Sequence, residues 1–190
     1  MTKLNIFIGG GGHASVLFEC LMPEEKQVSY IVDPKLKNSF VELINDIKFS
    51  EYDSDQINLI NGIGFLPASQ LRKEIFTKYK DLGYTFKTIK SDKSIISPSA
   101  TILEGAQILQ GSVIQSNSVI SENVIINTNC SVDHNSFIGE SSHICPGVTI
   151  CGNVSIGKNV FIGAGSVIIN GIRIKDASIV PAGSTIKRDI

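Results

Sequence analysis

From Ile95 to the end the chain repeats every six residues without a slip: IISPSA, TILEGA, QILQGS, VIQSNS, VISENV, IINTNC, SVDHNS, FIGESS, HICPGV, TICGNV, SIGKNV, FIGAGS, VIINGI, RIKDAS, IVPAGS and TIKRDI. The second residue of all sixteen hexads is Ile or Val, from Ile96 to Ile186. A period of six fits neither an α-helix, which repeats near ~3.6, nor an amphipathic strand, which repeats near ~2. It fits a three-sided coil in which each hexad is one short strand plus one corner. Three hexads then close a turn, residues eighteen apart stack, and the β-branched residues fill the inside of the prism, where they suit a pleated surface. The sixth position is small or β-branched, as at Ala106, Ser112, Cys130, Val148 and Ser178, and also points inward. The fifth is rich in Gly and Asn, which tolerate positive φ, and marks the left-handed turn at each corner. Asn117, Asn135 and Asn153 share this position at intervals of eighteen and are expected to form a ladder along one edge.

Composition limits what such a chain does. The formal charge is −1 over 190 residues, and Lys and Arg are scattered, so no broad footprint for nucleic acid is expected. The apolar run of MTKLNIFIGGGG is short for a signal peptide, and no run of about 18 apolar residues suggests membrane insertion; a cytoplasmic protein is expected. Cys20, Cys130, Cys145 and Cys151 form no CxxC pair and no zinc spacing, so no metal is expected and the thiols read as small packing residues.

The first half reads differently. An apolar run from Lys3 to Ile8 leads through Gly9 to Gly12 into a helical stretch from His13 to Leu21. Strands follow at Val28 to Val32 and Ile57 to Ile60, a helix from about Pro67 to Leu82, and a strand at Thr85 to Ile89. This alternation implies a small parallel, Rossmann-like α/β sheet. A glycine turn between strand and helix lets backbone N–H groups approach a phosphate. The G-x-G-x-x-G fingerprint fails at its third glycine, where Ser15 stands, and the segment is short for a dinucleotide fold, so a mononucleotide is favoured over a turn that merely packs helix on sheet. Asp33, at the end of the second strand, is placed to accept hydrogen bonds from a ribose or base. The expected domains are residues 1–92, an α/β domain that binds a nucleotide sugar, and residues 93–190, the β-helix acyltransferase domain.

With GGGGHA (Gly9 to Ala14), IVDP (Ile31 to Pro34), GIG (Gly62 to Gly64) with LRKEI (Leu71 to Ile75), SPSA (Ser97 to Ala100) and INTNCSVDHNSFIGESSHICPGV (Ile126 to Val148), the chain resembles the sialic acid O-acetyltransferase (NeuD-type) family and its relatives, the PglD-type N-acetyltransferases of nucleotide-linked 4-amino sugars. The resemblance implies a left-handed parallel β-helix, a homotrimer, and acetyl-CoA in the groove between neighbouring helices. It implies acetyl transfer to the amino group of a nucleotide-linked 4-amino-4,6-dideoxyhexose, for surface polysaccharide or glycan synthesis. Carried over by position, His134 is the general base, His143 lies near the thioester, and Asn127 lines the acceptor pocket. Gly152 and Ala164 meet the pantetheine arm, while Gly12 and Asp33 match the nucleotide site. His13, beside the glycine turn, is either a nucleotide-site or trimer contact or the plain start of a helix. The residue after the catalytic histidine is usually acidic in this family. Here it is Asn135, which either orients the ring through its carbonyl oxygen or belongs to the corner ladder alone. Three alternatives stand beside this reading: O-acetylation of sialic acid, a cysteine relay through Cys145 or Cys151, and a non-catalytic trimeric scaffold.

Overall fold

The hexads fold as their period dictates. The computed structural model describes residues 3–26, 29–32, 42–43, 53–67 and 69–190, which fall into two units, Met1–Lys87 and Thr88–Ile190. In the second unit seventeen two-residue parallel strands, β5 (Ile89–Lys90) to β21 (Thr185–Ile186), form the three faces of a parallel β-helix with between five and six turns. The first face holds β5, β8, β11, β14, β17 and β20, the second β6, β9, β12, β15, β18 and β21, and the third β7, β10, β13, β16 and β19. Register follows the period of eighteen, as in Val132 beside Ile150 and Ile126 beside Ile144. The second-position residues from Ile108 to Val180 are all buried and share one core. Full burial of each such side chain contributes about 2 kcal/mol.

The sixth position carries serines for a reason that lies in the third dimension. Ser112, Ser118, Ser136, Ser142 and Ser166 are buried inside the prism, and each hydroxyl donates to the carbonyl fifteen residues on, at 2.7 to 3.0 Å. Four of these hydroxyls also accept a backbone N–H eighteen residues on, so the buried oxygen is satisfied in both roles.

Each of the fourteen fifth positions from Gly105 to Gly183 has positive φ, as the corner reading requires. Twelve are Gly or Asn; Ser141 and Ala177 are the two that carry neither. Ala177 holds φ +58 at an exposed corner. An L-residue with a Cβ is disfavoured there by ~1–2 kcal/mol, of which glycine's extra chain entropy offsets part. Ala177→Gly is therefore expected to stabilise the protein by about 1 kcal/mol, read as a rise of a few degrees in Tm.

The first unit contains a four-stranded parallel sheet in the order β3-β2-β1-β4, with β1 at Leu4–Ile8, β2 at Ser29–Val32, β3 at Glu42–Leu43 and β4 at Ile57–Asn61. Helix α1 spans Gly12–Glu19, α2 Pro23–Lys26, and α3 Leu71–Asp81. The expected strand at Thr85 to Ile89 is divided. Phe86 makes a single parallel bridge to Leu59, whereas Ile89 pairs with Gln107 as the first rung of the β-helix. That rung was hidden because Lys90 occupies the position that is otherwise Ile or Val. Ile6, Ile57, Leu59, Phe76 and Phe86 form the core of this unit. Among the described residues no helix is long and apolar enough to cross a membrane.

Candidate active site

His134 stands at the fourth position of its hexad, on the corner that joins β12 (Ser131–Val132) to β13 (Phe137–Ile138). Outward projection from the corner leaves the ring exposed. The local turn is made by its neighbour: Asp133 Oδ1 accepts the backbone N–H of His134 at 2.8 Å. On the other side Asn135, φ +56, brings its side-chain amide back to the ring, with Nδ2 2.9 Å from Nδ1. The amide nitrogen faces the ring, not the expected carbonyl oxygen, because Asn135 Oδ1 accepts from Asn117 Nδ2 at 3.3 Å, one turn earlier. The ladder predicted for this edge is thus present between Asn117 and Asn135, and Asn153 shares its φ at +57.

Gly152 lies one turn beyond His134 and leaves the space that the imidazole fills. A Cβ there would come within 2.6 Å of Cε1 and 2.7 Å of Nε2. Nδ1 is engaged by Asn135, so Nε2 is the nitrogen turned toward Gly152. Beside this corner, on the outer side of the second face, Val113, Gln115, Ser131, Asp133, Thr149 and Cys151 line a groove of about 240 Å³.

His143 opens β14 (His143–Ile144) on the first face and is buried. Asn127, just past the neighbouring strand β11 (Ile125–Ile126), places Nδ2 3.1 Å from His143 Nε2. The orientation of that amide is fixed, since its Oδ1 accepts the backbone N–H of Thr128 at 2.8 Å. His143 Nε2 therefore accepts, and the proton of the neutral ring sits on Nδ1, 3.9 Å from Cys145 Sγ. Phe161 meets the ring edge-on, with centroids 5.5 Å apart. The structure thus pairs Asn127 with His143 and Asn135 with His134, at different edges of one prism. Ala164 is an exposed corner residue whose carbonyl accepts the N–H of Gly183 one turn on.

The cysteines next to His143 are poor nucleophiles. Burial raises Cys145 to a pKa of about 12, with Cys130 adding to the shift, and burial raises Cys130 to about 11. Both therefore stay as thiols at neutral pH, which argues against a relay through Cys145. Iodoacetamide at pH 8 is expected to label Cys130 and Cys145 at least ~10-fold more slowly than half-exposed Cys20, as peptide mass mapping would show. Folded-state values above the ordinary value of 9.0 also mean stability that is complete below pH 9 and lost as pH rises toward 11 and 12.

In the first unit the glycine turn and the GIG loop lie side by side at the carboxyl ends of β1 and β4, with the Gly62 N–H donating to Ile8 O at 2.9 Å. Gly9, φ +87, and Gly62 are glycines because of this approach: a Cβ on Gly9 would strike Ile63, and one on Gly62 would strike Gly9 O. Gly11 and Gly12 differ, since a Cβ on either would meet nothing within 4 Å. Gly12 opens α1 and is exposed, and His13 follows half-buried in its first turn, near Gly64. Arg72 was not singled out by the sequence. It is 2 % exposed, donates from Nη1 to Asn61 O at 3.1 Å and Ile63 O at 2.6 Å, and so holds the GIG loop from beneath; burial lowers its pKa to about 9. Asp33 lies outside the described residues.

Residues 135–170 match the bacterial transferase hexapeptide (six repeats) family, and residues 153–188 match the hexapeptide repeat of succinyl-transferase. No curated protein matches the chain at the sequence level. Among solved structures it is similar to PerB from Caulobacter crescentus in complex with CoA and GDP-perosamine, at 30 % identity and a TM-score of 0.87, over 100 % of this chain and 91 % of that one. It is also similar to the acetyltransferase domain of PglB from Neisseria gonorrhoeae FA1090, at 25 % identity and 0.89, over 100 % and 93 %. The same domain in complex with acetyl coenzyme A shares the fold at 24 % identity and 0.90, over 100 % and 93 %. A shared fold and 30 % identity across the whole length place this chain in the family of hexapeptide-repeat nucleotide-sugar N-acetyltransferases.

Proposed function

We propose that the protein transfers the acetyl group of acetyl-CoA to the amino group of a nucleotide-linked 4-amino-4,6-dideoxyhexose, with His134 as general base. The observation that carries the reading is an exposed imidazole held on one side by Asn135 and seated over Gly152, beside a groove, in a chain alike along its whole length to an enzyme that holds CoA and GDP-perosamine. GDP is the first nucleotide to try.

In this reading the sugar amine attacks the thioester carbonyl, and His134 Nε2 takes the proton that the nitrogen loses as the new C–N bond forms. The C–S bond then breaks, and the CoA thiolate leaves and is protonated. Imidazole suits the task because an ordinary histidine is largely neutral near pH 7 and accepts a proton readily. The backbone N–H of Gly152 serves as donor to the oxyanion of the tetrahedral intermediate. His143, oriented by Asn127, lies near the thioester, and Gly152 and Ala164 meet the pantetheine arm.

The first unit takes the nucleotide. Gly11 and Gly12 have open space at the start of α1, where N–H groups and the helix dipole favour a phosphate, and Arg72 fixes the loop beside them. His13 and Asp33 complete this proposed site. The assembly proposed is a homotrimer with CoA between neighbouring copies, in a cytoplasmic setting where both soluble substrates are at hand. Exposed Ile95, Phe137 and Ile179, all at outward first positions, supply apolar surface for such packing. The test is release of free thiol from acetyl-CoA, followed with a disulfide reagent, in the presence of GDP-, UDP- and TDP-linked 4-amino sugars. Thiol release that depends on the amine, with an acetamido product by mass, is expected; its absence with every donor and acceptor pair overturns the reading.

A further inference from the structure

We propose that Asn117, one turn away from His134, is a positioning residue for the acetyl transfer: through the amide of Asn135 it decides which imidazole nitrogen carries the proton. The inference rests on the assignment of His134 as the base. Three side chains stand in a row, Asn117, Asn135 and His134. Asn117 Nδ2 donates to Asn135 Oδ1 at 3.3 Å, and Asn135 Nδ2 stands 2.9 Å from His134 Nδ1. An amide nitrogen donates and does not accept, so Nδ1 must present its lone pair, and the proton of the neutral ring sits on Nε2.

Nε2 is also the atom turned toward Gly152, the residue whose backbone N–H is proposed to meet the oxyanion. In this arrangement it can donate but not accept. A proton can be taken at Nε2 only after both amides turn over, so that Asn135 Oδ1 faces Nδ1–H and Asn117 Oδ1 faces Asn135 Nδ2. A carboxylate at position 135 would hold the proton on Nδ1 permanently, because it only accepts and would take both Nδ1–H and the Asn117 Nδ2 as donors. Two amides in series give the corner two states, and the state in the structure is the one in which the base is capped. Asp133, the carboxylate next in sequence, turns its Oδ1 to the backbone N–H of His134 rather than to the ring. Cys151 and Asn153 are on the next turn, where the Asn153 N–H donates to the carbonyl of His134 and leaves the ring alone.

The test is the tautomer itself, read in the free protein without substrate. With only His13, His134 and His143 in the chain, 15N-histidine NMR resolves each ring, and His134→Gln assigns the signal. Wild type at pH 8 is expected to show His134 protonated on Nε2. Asn117→Asp keeps a residue that tolerates φ +61 but can only accept, so it turns Asn135 over and moves the proton to Nδ1. The same variant is expected to raise kcat about fivefold at unchanged KM for acetyl-CoA, the worth of one such hydrogen bond. A merely structural role would not move the tautomer. Should Asn117→Asp fail to fold, Asn117→Gly, which also accepts positive φ, is expected to give a mixture of both tautomers. A wild-type ring already protonated on Nδ1, an unchanged tautomer in a folded variant, or an inverted tautomer with unchanged kcat overturns the proposal. Lack of any turnover with the tautomers as expected would instead count against the acetyltransferase reading.

Discussion

His134→Ala is expected to lower kcat for acetyl transfer by about a thousandfold while leaving Tm and acetyl-CoA binding unchanged. Stability should be spared because the ring is exposed, belongs to none of the buried core, and makes its one side-chain hydrogen bond to an exposed amide. The backbone bonds of the corner, from Asn153 N–H to His134 O and from His134 N–H to Asp133 Oδ1, do not use the imidazole. General-base assistance is worth roughly 10²–10⁴ in rate, so the loss is expected in kcat, and it should be absent from Kd for acetyl-CoA measured by calorimetry. This split separates an enzyme from a trimeric scaffold that only binds CoA. A variant that retains most of its turnover removes His134 as the base, and one that loses acetyl-CoA binding in step places the ring in the binding site instead.

How much of this was legible in the sequence depends on the range of the force involved. The prism was legible because its driving term is local and periodic: an inward Ile or Val every six residues and a residue tolerant of positive φ at each corner, both visible one hexad at a time. The φ values confirm the corners even at Ser141 and Ala177, whose side chains alone give no such signal. Lys90 concealed the first rung because its neighbours Ile89 and Ile108 hold the pairing while Lys90 itself stays exposed. The direction of the Asn135 amide was not legible at all, because it is set by Asn117, eighteen residues away in sequence and adjacent only once the coil is closed. Arg72 escaped for a related reason. A lone arginine in LRKEI on an α-helix reads as solvated, and only the return of the GIG loop over it supplies the carbonyls that make its burial tolerable.

Gly152→Ala is expected to lower kcat by about a hundredfold with the fold intact, because a single methyl would occupy the place now taken by the imidazole of His134. At 2.6 Å from Cε1 and 2.7 Å from Nε2 the added carbon lies far inside van der Waals contact, and the rigid rungs on either side leave the ring as the part that moves. An exposed ring can rotate away at small cost, so Tm should hardly change while Nε2 leaves the position from which it would take the proton. Alanine keeps the backbone N–H of residue 152, so the oxyanion donor itself is not removed. The cause is isolated by a double-mutant cycle. Combined with His134→Ala, the substitution should cost nothing further, since no ring remains to displace. A second hundredfold loss in that background, measured by the same thiol-release assay, would mean that Gly152 acts on the bound thioester directly and that its contact with His134 is incidental.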